Sequence, residues 1–130
     1  RLSTPTPYPD SSLNTPDAAP FAGPMRPGSP CADAPIESCG EPGWLLERLG
    51  QGFVLLSFGP AEPVKAAGLT VPVLQVGLDV LDSQGLLAQR YDGQPGTVYL
   101  IRPDQHVAAR WRQFDPAQVQ TAVRRALKLH

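Results

Sequence analysis

Two strand-like segments joined by a short turn, in the last third of the chain, limit the possible folds more than any other feature. Residues 98–101 (VYLI) form an unbroken apolar run, as expected of a strand covered on both faces. Residues 102–105 (RPDQ) predict a turn, because proline presets φ at the second position. Residues 106–112 alternate between apolar and polar side chains, which predicts a half-covered strand near a sheet edge. Such a hairpin needs further strands beside it.

Upstream of the hairpin, the sequence predicts two more strands separated by short helices. Residues 53–58 (FVLLSF) are fully apolar except for one serine and are bounded by glycines. Residues 71–78 (VPVLQVGL) predict a third strand, in which Pro72 must occupy a position that donates no ladder hydrogen bond. Short helices are predicted over residues 43–50, 60–68 and 82–91, the last with Asp82 or Ser83 as its N-cap.

The clearest helix is the last element of the chain. Asp115 is the predicted N-cap, Pro116 occupies the first helical position, and Gln118 has the spacing of a capping box. An apolar stripe follows at helical spacing and consists of Val119, Ala122, Val123, Ala126 and Leu127. This stripe requires that the helix cover one face of the sheet.

The order of these elements predicts an α/β fold. Right-handed crossovers place the strands at 53–58 and 71–78 parallel to each other, and the hairpin adds antiparallel strands. The order βαβαββα resembles the thioredoxin-like fold, which is a four-stranded mixed sheet with flanking helices. In that fold the proline before the third core strand is cis, and Pro95 is the candidate here.

The first 43 residues contain ten of the sixteen prolines and few apolar residues. Such a composition cannot form its own core and favours extended conformations. A flexible linker is one interpretation. We expect instead an extended arm on a protein surface, since acidic residues outnumber basic ones here and basic residues dominate residues 102–130. The predicted domains are therefore the arm, 1–43, and a thioredoxin-like domain, 44–130. The candidate anchors of the arm are Tyr8, Leu13, Phe21 and Met25.

Cysteine is absent where a thioredoxin-like enzyme would need it. The redox centre of that fold follows the first core strand, and residues 59–63 read GPAEP. Because dithiol exchange needs an attacking thiolate and a resolving partner, this position cannot perform it. Cys31 and Cys39 are eight positions apart, which matches neither a redox pair nor half of a zinc site. We interpret both as incidental.

Two polar candidates have simpler structural explanations. His106 could act as an acid or base, but no cysteine, serine or carboxylate is placed beside it by the sequence, so we expect a surface or turn residue. Asp79 and Asp82 bracket the end of a strand and could bind a metal ion. Helix capping explains Asp82 equally well and needs no ligand.

Aromatic and basic residues near the C-terminus are the remaining candidates. Arg110, Trp111 and Arg112 could form a stacking or phosphate-binding patch, but solvated arginines around one core tryptophan explain them as well. A ligand pocket would have to be lined by Tyr91, Tyr99 and Trp111. The sequence holds no glycine-rich phosphate loop or Ser-His-Asp arrangement. We therefore assign no catalytic, cofactor-binding or metal-binding residue.

Several phrases of the sequence together resemble one enzyme family. SSLNTPD, RPGSPCADAPI, LLERLGQGFVLLSFGP and YLIRPDQHVAARWR are similar to the C-terminal region of FAD-dependent aromatic-ring monooxygenases. The most similar group is that of the 3-(3-hydroxyphenyl)propionate hydroxylase-like and phenol hydroxylase-like enzymes, and the similarity covers residues 11–129. Gln105 is a departure, because the turn of that family commonly carries glycine there.

The resemblance implies a parent enzyme that hydroxylates a phenolic substrate with FAD, NAD(P)H and O₂. In that family the C-terminal domain is thioredoxin-like, lacks redox cysteines, and packs against the flavin-binding domain or a partner subunit. We therefore expect this chain to be non-catalytic and to serve stability, subunit contact or active-site cover. The chain opens at Arg1, which we interpret as a piece of a longer or trimmed polypeptide.

Partners and location follow from the same resemblance and from composition. We expect contact with the flavin-binding domain of the same polypeptide, a homo-oligomer such as a dimer, and a cytoplasmic location. With a net charge of −1 and no long apolar run, we expect neither nucleic acid nor membrane as a partner. The rival hypothesis is a free-standing thioredoxin-like redox protein that uses Cys31 and Cys39.

Overall fold

The computed structural model describes residues 12–128, and a four-stranded mixed sheet lies at its centre. The strands are β1 (Pro35–Ser38), β2 (Glu41–Trp44), β3 (Val54–Ser57), β4 (Val64–Ala66), β5 (Leu69–Val71), β6 (Val73–Gln75), β7 (Val98–Ile101) and β8 (Val107–Trp111). The helices are α1 (Leu86–Tyr91) and α2 (Pro116–Ala126), with a 3₁₀ turn at Leu45–Arg48.

The central sheet has the strand order β6-β3-β7-β8. Strand β3 is parallel to β6 and antiparallel to β7, and β7 pairs with β8 in a hairpin. Leu55 lies opposite Leu100, so the two apolar runs FVLLSF and VYLI are neighbours, and every residue of β3 and β7 is buried. The predicted α/β fold with a four-stranded mixed sheet and flanking helices is confirmed.

Two apolar clusters lie on opposite faces of this sheet, because side chains alternate along each strand. One face carries Leu56 and Tyr99 and is covered by α1 and the N-terminal segment. The other carries Leu55 and Leu100 and is covered by α2 and the β4–β5 hairpin. The stripe predicted for α2 is buried at Val119, Ala122 and Val123, half-buried at Ala126 and exposed at Leu127.

The hairpin turn forms as predicted, and its last residue, Gln105, has a backbone conformation in which glycine is favoured. The Gln105 backbone N–H donates to the Arg102 carbonyl oxygen at 2.9 Å, and Gln105 has a φ of +63°. This left-handed conformation favours glycine, and it is the position where the turn of the resembled family commonly has glycine.

The helix predicted over residues 60–68 is wrong, because this segment forms the β4–β5 hairpin. Ala67 and Gly68, with φ values of +51° and +76°, make a two-residue turn that suits the twist of antiparallel strands. Val64 and Ala66 point inward and are buried against α2, which a strand's alternation allows. The predicted strand over residues 71–78 is correspondingly divided at Pro72 into β5 and β6.

Three other predictions need correction. The segment 43–50 is strand up to Trp44 and 3₁₀ helix only at Leu45–Arg48. Helix α1 begins at Leu86 and not at residue 82, because Gly85 before it is left-handed with a φ of +71°. Every peptide bond between described residues is trans, so Pro95 is not cis; Gly96, with a φ of +91°, makes the turn into β7.

The predicted aspartates bind backbone donors at the starts of both helices, although the N-cap of α1 is Gly85. The Asp115 carboxylate accepts the Ala117 backbone N–H at 3.0 Å, and Pro116 is the first residue of α2. The Asp82 carboxylate accepts the N–H groups of Leu87 and Ala88 at 3.0 and 2.9 Å, although α1 itself starts later. Both aspartates therefore satisfy backbone donors at a helix start.

Part of the segment predicted as an extended arm is paired strand, because β1 and β2 form a hairpin over residues 35–44. Phe21 and Met25, two of the predicted anchors, pack against the core, and Leu13 is half-buried. Tyr8 lies outside the described residues. The division of the chain into an arm and a domain at residue 43 stays a prediction.

Candidate functional site

The segment of residues 12–34, here called the strap, lies along the outer edge of β8. The Thr15 and Gly28 backbone N–H groups donate to the carbonyl oxygens of Ala108 and Val107, at 2.9 and 2.7 Å. The Val107 N–H in turn donates to the Ser29 carbonyl oxygen at 2.9 Å. These bonds satisfy backbone groups that an open sheet edge would expose.

The prediction that β8 is half covered is wrong, because all five of its residues are buried. Arg110 is covered by the strap. Ala108 is buried on the α2 face together with Ala109, because the register of β8 against β7 shifts between Leu100 and Ile101. The predicted alternation therefore does not hold through Ala108, and alternation alone does not show whether a distant part of the chain covers a face.

The charged side chain of Arg110 is buried between β8 and the strap, with 4% of the side chain exposed. Its Nε and Nη2 atoms donate to the two carboxylate oxygens of Asp17 in the strap, at 2.9 and 2.7 Å. Burial alone would lower the pKa of Arg110, but hydrogen bonds to Asp17 and Tyr99 outweigh it and raise the pKa. The guanidinium is therefore a permanent charge whose partner is already present.

The Phe21 ring of the strap contacts two guanidinium groups. Its ring centroid lies 3.6 Å from Cζ of Arg112 and 4.3 Å from Cζ of Arg110. The edge of the ring packs against Tyr99, with 6.0 Å between centroids. Cations over an aromatic face are attracted by its quadrupole, so this contact adds to the apolar burial of Phe21.

Asp92 joins Arg112 to the strap. Its carboxylate accepts the Arg112 Nη2–H at 2.5 Å and the Ala22 backbone N–H at 2.8 Å. These two interactions, the Ala22 hydrogen bond first, hold the pKa of Asp92 below its ordinary value. Arg112 also donates to the Thr97 hydroxyl oxygen at 2.9 Å. Both arginines of the patch indicated by the sequence at residues 110–112 thus have partners within the chain. Arg110 and Arg112 with Asp17 and Asp92 are here called the clamp, because they bind the strap to the body of the domain.

The three aromatic residues proposed as a pocket do not come together. Tyr91 and Tyr99 meet edge to face, 5.1 Å apart, and both are fully buried. Their hydroxyl groups donate to backbone carbonyl oxygens, Tyr91 to Ala32 at 2.6 Å and Tyr99 to Tyr91 at 2.5 Å. Trp111 belongs to the apolar cluster on the opposite face of the sheet.

The two cysteines are free thiols in different surroundings. Cys31 is buried at the end of the strap, and burial raises its pKa to about 12 despite a hydrogen bond with Tyr91. A thiol with such a pKa is almost entirely protonated at neutral pH and is a poor nucleophile. Cys39 is exposed in the turn between β1 and β2.

The remaining polar candidates serve turns. His106 is half-buried beside the hairpin turn, with Nδ1 3.0 Å from the Asp104 carbonyl oxygen. The Asp79 carboxylate accepts the Gln75 backbone N–H at 2.8 Å and lies in a turn. Between residues 12 and 128, no group of three or more His, Cys, Asp or Glu side chains could hold a metal ion. No helix in this range is long and apolar enough to span a bilayer.

Comparison with known proteins places this fold within larger enzymes. No protein-family model matches the sequence, and no curated protein matches it. Solved structures do match. One is aklavinone-11 hydroxylase with FAD and aklavinone, at a TM-score of 0.71 and 23% identity over 91% of this chain. Another is the flavin-dependent monooxygenase PieE with FAD and substrate, at a TM-score of 0.74 and 23% identity.

A third match is the rebeccamycin biosynthetic enzyme RebC in its K252c-soaked form, at a TM-score of 0.52 and 27% identity over 92% of this chain. The chain spans about a quarter of the length of these proteins, between 22% and 25% of each. The resemblance indicated by the sequence phrases is thus confirmed at the level of the fold, which is that of a domain present in flavin-dependent monooxygenases.

Proposed function

We propose that this chain is a C-terminal, non-catalytic domain of an FAD-dependent aromatic hydroxylase. The observation that supports it is the match of nearly the whole chain to about a quarter of each of several flavin enzymes. The proposed role is support of the flavin-binding part through stability, subunit contact or partial cover of its active site. The substrate class inferred for the parent enzyme, a phenol, follows from the sequence resemblance.

The chemistry of the described residues favours a structural role. Residues 59–63, after β3, contain no thiol, and the buried Cys31 is protonated at neutral pH. The two arginines of the clamp are already paired with carboxylates. Neither of these two arginines is therefore free to bind a separate anion through its charge alone.

Among the described residues, Arg110 and Arg112 do not offer a site for FAD. The flavin nucleotide needs backbone donors at a glycine-rich turn or free cations for its pyrophosphate. The clamp arginines, Arg110 and Arg112, are instead bound to Asp17 and Asp92. FAD and NAD(P)H therefore belong, in this proposal, to the part of the polypeptide outside these 130 residues, and no step of the reaction is assigned here.

Flavin binding tests the proposal directly. The 130-residue chain is titrated with FAD by fluorescence quenching and assayed for NADPH oxidation, with the polypeptide of the complete open reading frame as the positive control. We expect neither binding nor turnover from the chain alone, and both from the longer polypeptide. Tight FAD binding by the chain alone, or a reading frame without a flavin-binding region, would contradict the proposal.

We further propose that the protein is cytoplasmic and homo-oligomeric. Mass measurement by light scattering tests the oligomer.

The rival function, thiol exchange by Cys31 and Cys39, predicts insulin reduction that disappears in Cys39→Ser. The raised pKa of Cys31 disfavours Cys31 as the attacking thiol, because a thiol that stays protonated cannot attack a disulfide.

A further inference from the structure

One face of the β1–β2 hairpin is apolar and exposed. In the antiparallel register, Pro35 lies opposite Trp44, and Glu37 lies opposite Pro42. On its other side Glu37 pairs with Leu81 through two backbone hydrogen bonds of 3.0 and 2.8 Å. Partners directly opposite each other point to the same side of a sheet, so these five residues form one surface, here called the outer face.

The alternation of burial confirms the orientation of this surface. Ile36 lies between Pro35 and Glu37 in the chain, and Val80 precedes Leu81. These two residues are 2% and 1% exposed and belong to the core, so their neighbours point away from it. Trp44 and Leu81 are each 50% exposed, and Leu78, in the adjoining turn, is 73% exposed. An exposed tryptophan and an exposed leucine on one surface are typical of a surface that is covered by a partner.

Glu37 restricts the kind of partner. It lies in the row between Pro42 and Leu81, and among residues 12–128 no cation forms an ion pair with it. Covering the outer face would remove water from this carboxylate, which is unfavourable unless a cation replaces that water. If two copies met through this face with Glu37 near the two-fold axis, two carboxylates would face each other without a cation, which disfavours that arrangement.

We infer that the outer face docks onto the flavin-binding part of the same polypeptide, at an apolar patch with an arginine or lysine facing Glu37. This inference rests on the proposed function. A covalently attached partner is present at high effective concentration, which suits a small interface with one aromatic residue. The matching structures, in which this fold is only about a quarter of each chain, leave a large body available for that contact.

Hydroxyl-radical footprinting of Trp44 tests the docking. The rate of Trp44 oxidation is measured in the 130-residue chain and in the polypeptide of the complete reading frame. We expect it to fall on the order of fivefold in the longer polypeptide, because the core of an interface excludes water. Leu69, which is 43% exposed on the β4–β5 hairpin, is the internal control and should keep its rate. An equal rate for Trp44 in both forms would overturn the inference.

Charge reversal tests the role of Glu37 separately. In the longer polypeptide, Glu37→Lys should restore Trp44 oxidation toward the rate of the isolated chain, since two cations would then face each other. Glu41→Lys is the matched control, because Glu41 lies opposite Ser38 on the other face of the same hairpin. Equal effects of the two variants, or no effect of Glu37→Lys, would contradict the inferred contact.

The two hypotheses fail in different ways. A longer polypeptide that binds FAD but leaves Trp44 fully reactive keeps the proposed function and removes the docking face. A reading frame without a flavin-binding region removes the proposed function, and with it the partner that the docking needs.

Discussion

Asp17 and Arg110 form a two-bond ion pair although 93 positions separate them in the sequence. The pair joins the strap to the middle of β8, where the Arg110 guanidinium is almost fully buried and Asp17 keeps 29% of its side chain exposed. A buried guanidinium without its carboxylate partner is strongly destabilising, so the stability of β8 depends on the strap that carries Asp17.

Removing the Asp17 carboxylate should therefore destabilise the whole chain. We expect Asp17→Ala to lower the free energy of unfolding by about 2 kcal/mol, since a buried cation would lose two charged hydrogen bonds at a partly exposed site. Urea denaturation measures this change. Glu62→Ala, at an exposed carboxylate in a loop, is the control and should change stability by less than about 0.5 kcal/mol. Equal effects would contradict the interpretation.

Phe21 should hold the strap through two separable contributions. Phe21→Leu keeps the apolar burial and removes the cation–π contact, for an expected loss of about 1 kcal/mol. Phe21→Ala removes both, for an expected loss of about 2 kcal/mol or more. Hydrogen exchange of the Val107 amide, which bonds to Ser29 of the strap, should become faster in the same order. An unchanged exchange rate in Phe21→Ala would show that Phe21 does not hold the strap.

Acid should weaken the clamp through Asp92. The folded state lowers the pKa of Asp92 from its ordinary 3.8, first through the Ala22 N–H and then through Arg112. A group with a lowered folded pKa stabilises fully above its ordinary pKa and loses that contribution as pH falls through the folded value. Unfolding free energies measured between pH 2 and 7 should fall less steeply below about pH 4 in Asp92→Asn than in the natural chain. Identical acid profiles would disprove this assignment.

The two thiols should react at very different rates. Cys39 is exposed, whereas Cys31 is buried with a pKa of about 12, so Ellman's reagent should modify one thiol per chain in the native state and two in urea. Because the folded pKa of Cys31 is raised, this thiol does not change the free energy of unfolding below its unfolded pKa of 9.0. As the pH rises from 9.0 toward 12, it lowers that free energy. Cys31→Ala should remove that alkaline dependence, and two rapid native thiols would contradict the prediction.

The left-handed φ of Gln105 is unfavourable for a residue with a side chain, and glycine at this position should remove that unfavourable energy. Gln105→Gly and Gln105→Ala both remove the side-chain donor to the Leu46 carbonyl oxygen, and they differ chiefly in how well they accept a φ of +63°. We expect the glycine variant to be more stable than the alanine variant by about 1 kcal/mol. Thermal unfolding of the two variants side by side measures the difference, and a more stable alanine variant would contradict it.

Local patterns were sufficient for the elements whose contacts are near in sequence or strongly apolar. The runs FVLLSF and VYLI predicted two buried strands, and Asp115 with Pro116 predicted the start of α2. The hairpin at residues 64–71 was missed because Gly68 was interpreted as a helix end. The pair Ala67–Gly68, followed by β-branched residues, was the available signal for a two-residue hairpin turn.

The clamp could not be predicted, because its members come from three separate segments. Charge asymmetry between the two ends of the chain indicated that the N-terminal segment could lie on the body, but not which aspartate would meet which arginine. The outer face was not predicted either, because Trp44 was assigned to the short helix predicted over residues 43–50 and lies in β2 instead.

The sequence by itself determined the sheet, because apolar runs of strand length must pair and be covered wherever they occur. Only the tertiary structure decided that the proline-rich segment covers β8, that Arg110 is buried, and that Trp44 remains outside. These outcomes depend on contacts between residues tens of positions apart, and their energies are set by shared burial and charge rather than by any local preference.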